Sequence, residues 1–398
     1  VHLYAWPLIF ALAGLALYTV LGGADFGAGF WELTAGRGPH ADELRDQAHA
    51  GMAPVWEANH VWLIFVLTVV WTAYPGAFGS IASTLEVPLF IAGIGIVLRG
   101  GAYALRSGAT SPREQRLVDT VFSASSILTP FALGTAIGGI ASERVPVGNA
   151  AGSLWHSWLN LTSITIGVLA VVSSAYTAAV FLSADAARDG HTSLAERFRA
   201  RALGAGIVAG AVAVAGIVVL HFDAERLFHR LVHGPGIVAL VASLLAGVAT
   251  LALIARRRYE PARYTAAFAV AATIAGWGLA QQPVFLRGLT IQQAAAPHDA
   301  LVAVIVAVLG GGVILFPSLG LLFRLTLGGQ LGRGAGETVA VAPAPAARRD
   351  TSRIALVGLV AGIGFLTVAD SGWAHAVGVT CLFAFVVLGY RAALPGDV

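Results

Sequence analysis

The sequence predicts an all-α, polytopic transmembrane helix bundle: nine core spans, a C-terminal transmembrane hairpin, and an extracytoplasmic N-terminus. Three observations predict it. Of 398 residues, 57% are hydrophobic and only 11% charged, against about a quarter charged in soluble domains. Apolar runs near the ~20 residues that a helix needs to cross a bilayer recur along nearly the whole chain. They are continuously apolar instead of alternating over segments of about 10 residues, which argues against a β-barrel. Finally, the arginines are distributed asymmetrically between successive connections.

The nine spans fall at about 4–24, 56–76, 81–104, 119–141, 156–182, 203–222, 235–255, 264–282 and 300–323. The odd-numbered connections carry Arg37 and Arg45; Arg106, Arg113 and Arg116; Arg188, Arg197, Arg199 and Arg201; and Arg256, Arg257, Arg258 and Arg263. The even ones carry none, then Arg144, then Arg226 and Arg230, then Arg287. By the positive-inside rule the odd connections are cytoplasmic. The opening VHLYAWPLIF has no basic n-region and no small-residue cleavage site, and reads as the start of a retained first helix. In the third odd connection, Ser193-Leu-Ala-Glu196 fits a capping box that opens a basic helix anchored at the headgroups.

Residues 1–325 thus form the nine-helix membrane domain. Residues 326–353, rich in Gly, Ala and Pro, read as a flexible cytoplasmic linker. Residues 354–398 hold two shorter apolar runs, 354–369 and 374–390, that read as the hairpin and its tail. The single cysteine, Cys381, excludes an internal disulfide framework and a thiolate-held metal cluster. Nothing in the composition points to nucleic acid, and no metal site is expected.

Ionisable groups inside spans cost about 2.5–3.5 kcal/mol on insertion scales and are functional candidates by default. Here they are Asp25, Glu57, His60, Glu86, Arg99, Asp119 and the histidines 156, 221 and 375. The densest group is PVWEANHVWLIF, where Glu57 and His60 lie three apart on one helical face, with Trp56 and Trp62 close by. Such a face can hold a proton or a polar ligand; the alternative is that the tryptophans are interfacial anchors and Glu57 lies at headgroup depth. Asp25, in GADFGAGFW, closes the first span at the same expected cytoplasmic end. Gly23 and Gly27 form a small-xxx-small pair that lets another helix approach. A close neighbour shields the carboxylate and leaves it partly desolvated, the condition under which an acid exchanges protons near neutrality.

Arg99 has two even readings, an anchor at the interface or a counter-ion to an acid or to an acidic cofactor group. Glu86 is expected to snorkel to the surface, with Pro88 marking a bend. Axial haem ligation needs a His with a second His or a Met. The only methionine, Met52, precedes the second span, and His156 and His221 sit at outer span ends, where interfacial roles are commoner; a bis-His pair stays open.

At GADFGAGFW, PVWEANHVWLIF and LRGGAYALR, and again at SWLNLTSITIGVLAVVSSAYTAAVFLS, AERFRARAL and GWGLAQQPVFLRGLTIQQAAAPHDAL, the chain resembles subunit II of the cytochrome bd-type quinol oxidases. These bacterial membrane enzymes oxidise quinol and reduce oxygen to water. The resemblance is ordered over residues 4–325. It implies a nine-helix subunit of the bacterial cytoplasmic membrane, paired with a subunit I that carries the b and d haems and the quinol-oxidising loop. It leaves room for small accessory membrane subunits and for a structural quinone in a lipid-facing groove.

In that family, acids at the positions of Asp25 and Glu57, with the tryptophan at Trp56, belong to a proton route from the cytoplasm, which His60 adjoins here. Trp62 matches a tryptophan near a hydrophobic oxygen passage. No catalytic residue is expected in this chain. Glu57 stands where the family commonly has Asp, His60 where an uncharged or acidic residue is usual, and the hairpin lies outside the nine-helix core. A rival from another class is a proton-coupled secondary transporter, which predicts solute-stimulated proton movement by this chain alone and broken helices at the midplane. A third reading is a purely structural assembly partner.

Overall fold

The computed structural model describes residues 2–36, 38–52, 56–106, 111–327 and, with single gaps, 354–365 and 372–393. It divides into two compact units, Val1–Ile314 and Leu315–Val398.

The first pass is one continuous rod over Leu3–Leu33. It comprises α1 (Trp6–Leu17), a π-helical turn (Tyr18–Gly22) and α2 (Gly23–Leu33). The expected end near residue 24 is therefore overtaken, although glycines disfavour helix. Tertiary packing supplies the reason: Gly27 lies so close to the backbone of Ser174 in α8 (Leu161–Arg188) that a Cβ would collide with the Ser174 carbonyl. The segment then turns into α3 (Pro39–Met52), whose Ala41, Leu44 and Ala48 are buried at i, i+3, i+7 spacing.

The second pass, α4 (Trp56–Ala73), ends at Tyr74, where the chain breaks before α5 (Pro75–Thr84) and α6 (Glu86–Arg106). The buried Tyr74 hydroxyl donates to Tyr4 O (2.5 Å) and accepts from Leu8 N (3.1 Å), tying this corner to the first pass. The third span thus starts earlier than 81 and is interrupted at Leu85, not bent at Pro88, which lies in the first turn of α6. Glu86 is exposed, as expected of a snorkelling acid.

The remaining long helices are α7 (Pro112–Ala141), α8, α9 (Thr192–Asp223), α11 (Ile237–Ala255), α12 (Tyr259–Gln281) and α14 (His298–Leu327). Between them lie the short α10 (Glu225–Val232), a two-stranded antiparallel ribbon, β1 (Val284–Leu286) and β2 (Leu289–Thr290), and α13 (Ile291–Ala294). α7 opens on a capping box made by Ser111 and Glu114. α8 opens at Asn160, whose side chain accepts from Ser163 N (2.9 Å), so the fifth pass begins five residues beyond the expected 156 and leaves His156 in a turn.

The box expected at Ser193 and Glu196 does not form, because α9 starts at Thr192 with no side-chain cap. Glu196 instead accepts from Arg257 (2.7 Å), Tyr259 (2.9 Å) and Arg199 (3.2 Å), stapling α9 to the α11–α12 connection. Three donors, two of them charged, outweigh one backbone N–H.

Each of the nine expected spans meets a helix. Among the described residues seven helices are long and apolar enough to cross a membrane; the described apolar stretch of α4, Asn59–Ala73, is shorter, and α12 is not among the seven. One core cluster, built on Ala28, Leu44, Ala48, Phe122, Leu182 and Phe198, joins α2, α3, α7, α8 and α9. In the second unit, helical residues within 354–365 lie against Gly372–Ala393, with Gly362 facing Leu382 and Gly358 facing the Cys381 carbonyl. Residues 328–353, nearly all of the expected linker, lie outside the described residues.

Candidate functional site

The candidate site lies where α2, α6 and α7 meet. Small residues bring these helices together: Gly29 of α2 abuts Ser126 of α7, and Gly95 of α6 abuts Thr129 of α7. Close approach of backbones is what small residues permit between membrane helices. Into this junction α2 projects Asp25, 4% exposed, and α6 projects Arg99, 1% exposed.

Arg99 Nη2 donates to Asp25 Oδ1 (2.6 Å) and to the Asp25 backbone oxygen (3.0 Å), while Nη1 donates to Ser126 Oγ (2.9 Å). The Ser126 hydroxyl in turn donates a hydrogen bond to Phe122 O (2.6 Å). The guanidinium lies between two aromatic faces, 4.8 Å from the Phe26 centroid and 4.6 Å from that of Phe122, so ring quadrupoles add to the ion pair. Arg99 thus forms an ion pair with Asp25, both side chains buried.

Arg99 occupies one carboxylate oxygen of Asp25. The other, Oδ2, is buried and accepts from no described residue. A carboxylate with one oxygen pinned and one holding spare acceptor capacity is suited to taking and releasing a proton at a defined atom.

The π-helical turn positions the neighbours. Asn59 of α4 donates to Leu21 O inside that turn (3.3 Å), fastening α4 to the first pass. His60, next in sequence, brings its ring to 5.9 Å from Phe26 and 6.1 Å from Tyr18. Both ring nitrogens are buried. The structure therefore stacks His60 on Phe26, the residue that follows Asp25 in the chain.

Trp62 does not join this group. Two residues from His60, it points to another face of α4, half-buried and edge-on to Phe65 of its own helix (6.3 Å). The side chains of Trp56 and Glu57 lie outside the described residues. His156 is exposed and bonded to Ser153 (3.1 Å), and His221 is exposed against Phe222 and Phe228.

A second charged group lies two helical turns along. Glu32 of α2 is 5% exposed, 3.8 Å from Arg106 of α6, which is also 3.6 Å from Asp119 of α7. Sequence reading missed Glu32, having ended the span before it. Its signal was its spacing: seven residues after Asp25, on the same face of a helix continued past the glycines.

A family model described as cytochrome bd terminal oxidase subunit II matches residues 2–326. Among curated proteins, the cytochrome bd ubiquinol oxidase subunit 2 of Bacillus subtilis (strain 168) is 26% identical over 129 residues, 32% of this chain and 37% of that one. The matched stretch thus spans little more than a third of that relative's length. The fold is similar to a chain in the structure of bd oxidase from Geobacillus thermodenitrificans, with a TM-score of 0.67 and 26% identity, covering 82% of this chain and 99% of the other.

Proposed function

The chain belongs to the cytochrome bd terminal oxidase subunit II family, and from that premise we propose that it serves as the second subunit of a membrane quinol:oxygen oxidoreductase, supporting the partner subunit and conducting protons through Asp25. The observation that carries this reading is the buried Asp25–Arg99 pair, with Asp25 Oδ2 left without a described partner. An ion pair built only for stability gains little from burial, because desolvation offsets the attraction. A buried acid held by one oxygen, with a histidine stacked on the next residue of its helix, is an arrangement that proton transfer uses.

In this reading Arg99 fixes the Asp25 carboxylate and its charge, and never itself gives up a proton. Glu57, three residues from His60 on α4, is assigned the neighbouring acid position, with Trp56 beside it. His60, stacked on Phe26, closes the apolar side of the site. The oxygen passage at Trp62 belongs to the same proposal, as do the partner subunit, quinol as donor, a structural quinone and the bacterial cytoplasmic membrane as location.

The residues described here do not fit a haem of this chain's own. His156 and His221 are exposed, and the His60 ring packs beside Tyr18 and Phe26 with both nitrogens buried among this chain's own residues, whereas a haem ligand must present a nitrogen to the iron. No step is therefore routed through such a group here, and the redox centres are assigned to the partner.

The test is Asp25→Asn in the purified complex, with turnover normalised to haem. Oxygen consumption is expected to fall by about a hundredfold or more, in the range of a lost proton-transfer group, and Asp25→Glu is expected to recover part of it. Unchanged turnover in Asp25→Asn sinks the proton role. Solute-stimulated proton movement by this chain alone in liposomes favours the transporter reading instead.

A further inference from the structure

The charged group at Glu32 repeats the geometry of the site at Asp25. From Asp25 to Glu32 on α2 is seven residues forward, from Arg99 to Arg106 on α6 is seven forward, and from Ser126 to Asp119 on α7 is seven back. Seven residues are two helical turns, about 10.5 Å along the axis and within about 20° of the same direction. Three helices therefore present an acid, an arginine and a polar partner in two successive layers. The inner layer is Asp25, Arg99 and Ser126; the outer is Glu32, Arg106 and Asp119.

We infer that the outer layer is the mouth of the proton path, with Asp119 collecting protons at the surface and Glu32 delivering them to Asp25. This rests on the proton-route reading of Asp25 and extends it to groups that reading does not use. Side-chain exposure falls in the required order: 40% at Asp119, 28% at Arg106, 4% at Glu32 and 2% at Asp25. The arginines cannot relay a proton, since guanidinium stays protonated in proteins. Arg106 instead stands between two carboxylates, at 3.8 Å and 3.6 Å, and stabilises whichever is ionised while the other holds the proton. The axial step from Glu32 to Asp25 is three to four hydrogen-bond lengths of about 2.8 Å. The charges that act on Glu32 among the described residues are Arg106 and Arg99 of α6, Asp119 of α7 and Arg45 of α3, so two acids share three cations.

A merely structural rung makes a different prediction, because it needs the charge of Glu32 for Arg106 but no exchangeable proton. The experiment compares Glu32→Gln, Glu32→Asp and Asp119→Asn with Asp25→Asn in the holoenzyme. It measures turnover per haem and the rate of proton uptake from the expected cytoplasmic side across pH 5.5–9. Glu32→Gln is expected to slow both by about a hundredfold and to displace the pH profile. Glu32→Asp, keeping the carboxyl on a shorter arm, is expected to restore the profile, and Asp119→Asn to slow uptake severalfold.

If Asp25→Asn slows the enzyme while Glu32→Gln keeps the native rate and pH profile, the mouth is elsewhere and the Asp25 reading stands. If Asp25→Asn is itself silent, both readings fall. Should Glu32→Gln not assemble, native profiles in both Glu32→Asp and Asp119→Asn overturn the inference.

Discussion

Breaking the Asp25–Arg99 pair from one side should cost far more than removing it altogether. At 2.6 Å, unit charges in an effective dielectric of about 20 attract by about 6 kcal/mol. Stripping water from two ions costs several kcal/mol each, so the intact pair contributes little net. A single neutralisation removes the attraction but leaves one desolvation penalty, and is expected to cost about 3–5 kcal/mol. Asp25→Asn should cost more than Arg99→Gln, because a stranded carboxylate sheds its charge by taking a proton, whereas a stranded guanidinium cannot.

In the double variant, an amide pair replaces the ion pair, and the loss should be smaller than the sum by about 2 kcal/mol or more. The assay is a double-mutant cycle on the complex, unfolded in mixed micelles at fixed pH and followed by tryptophan fluorescence. If the two single losses simply add to within about 0.5 kcal/mol, the pair is not coupled and the site geometry argued here is wrong.

Gly27→Ala should drive α2 from α8, because the new methyl meets the Ser174 backbone, which has no rotamer to yield; a loss of about 2–3 kcal/mol and a clear fall in assembled complex are expected in a thermal-shift and yield comparison. Glu196→Gln should matter much less. Although it loses charge toward Arg257, Arg199 and Tyr259, the group is more than a third exposed, so the cost is expected below about 1 kcal/mol and to shrink further when thermal stability is measured in high salt.

The apolar stretches and their helical nature were legible because bilayer-length apolar runs leave the backbone few other choices. The small-xxx-small reading of Gly23 and Gly27 was legible for a related reason: glycine at that spacing has few uses in a membrane helix besides close packing. Asp25 and Arg99 stood out as ions in apolar surroundings. Their partnership did not, since 74 residues separate them and nothing local links them. Glu32 was hidden by a boundary error, because GADFGAGF looks like the end of a helix until α8 is laid against it. The capping signal at Ser193 misled for the opposite reason, a local pattern overruled by donors 61 and 63 residues away.

Composition and periodicity thus determined that this chain is a bundle of apolar helices and which rare polar groups it carries inward. Which helix closes over which, that Arg99 serves Asp25 and Arg106 serves Glu32, and that α2, α6 and α7 repeat their polar contacts every seven residues, became definite only in three dimensions. The physical reason is range. Hydropathy and helix propensity act over a few turns, whereas an ion pair between helices is set by the packing of small residues such as Gly27, Gly29 and Gly95 against chains far away in sequence.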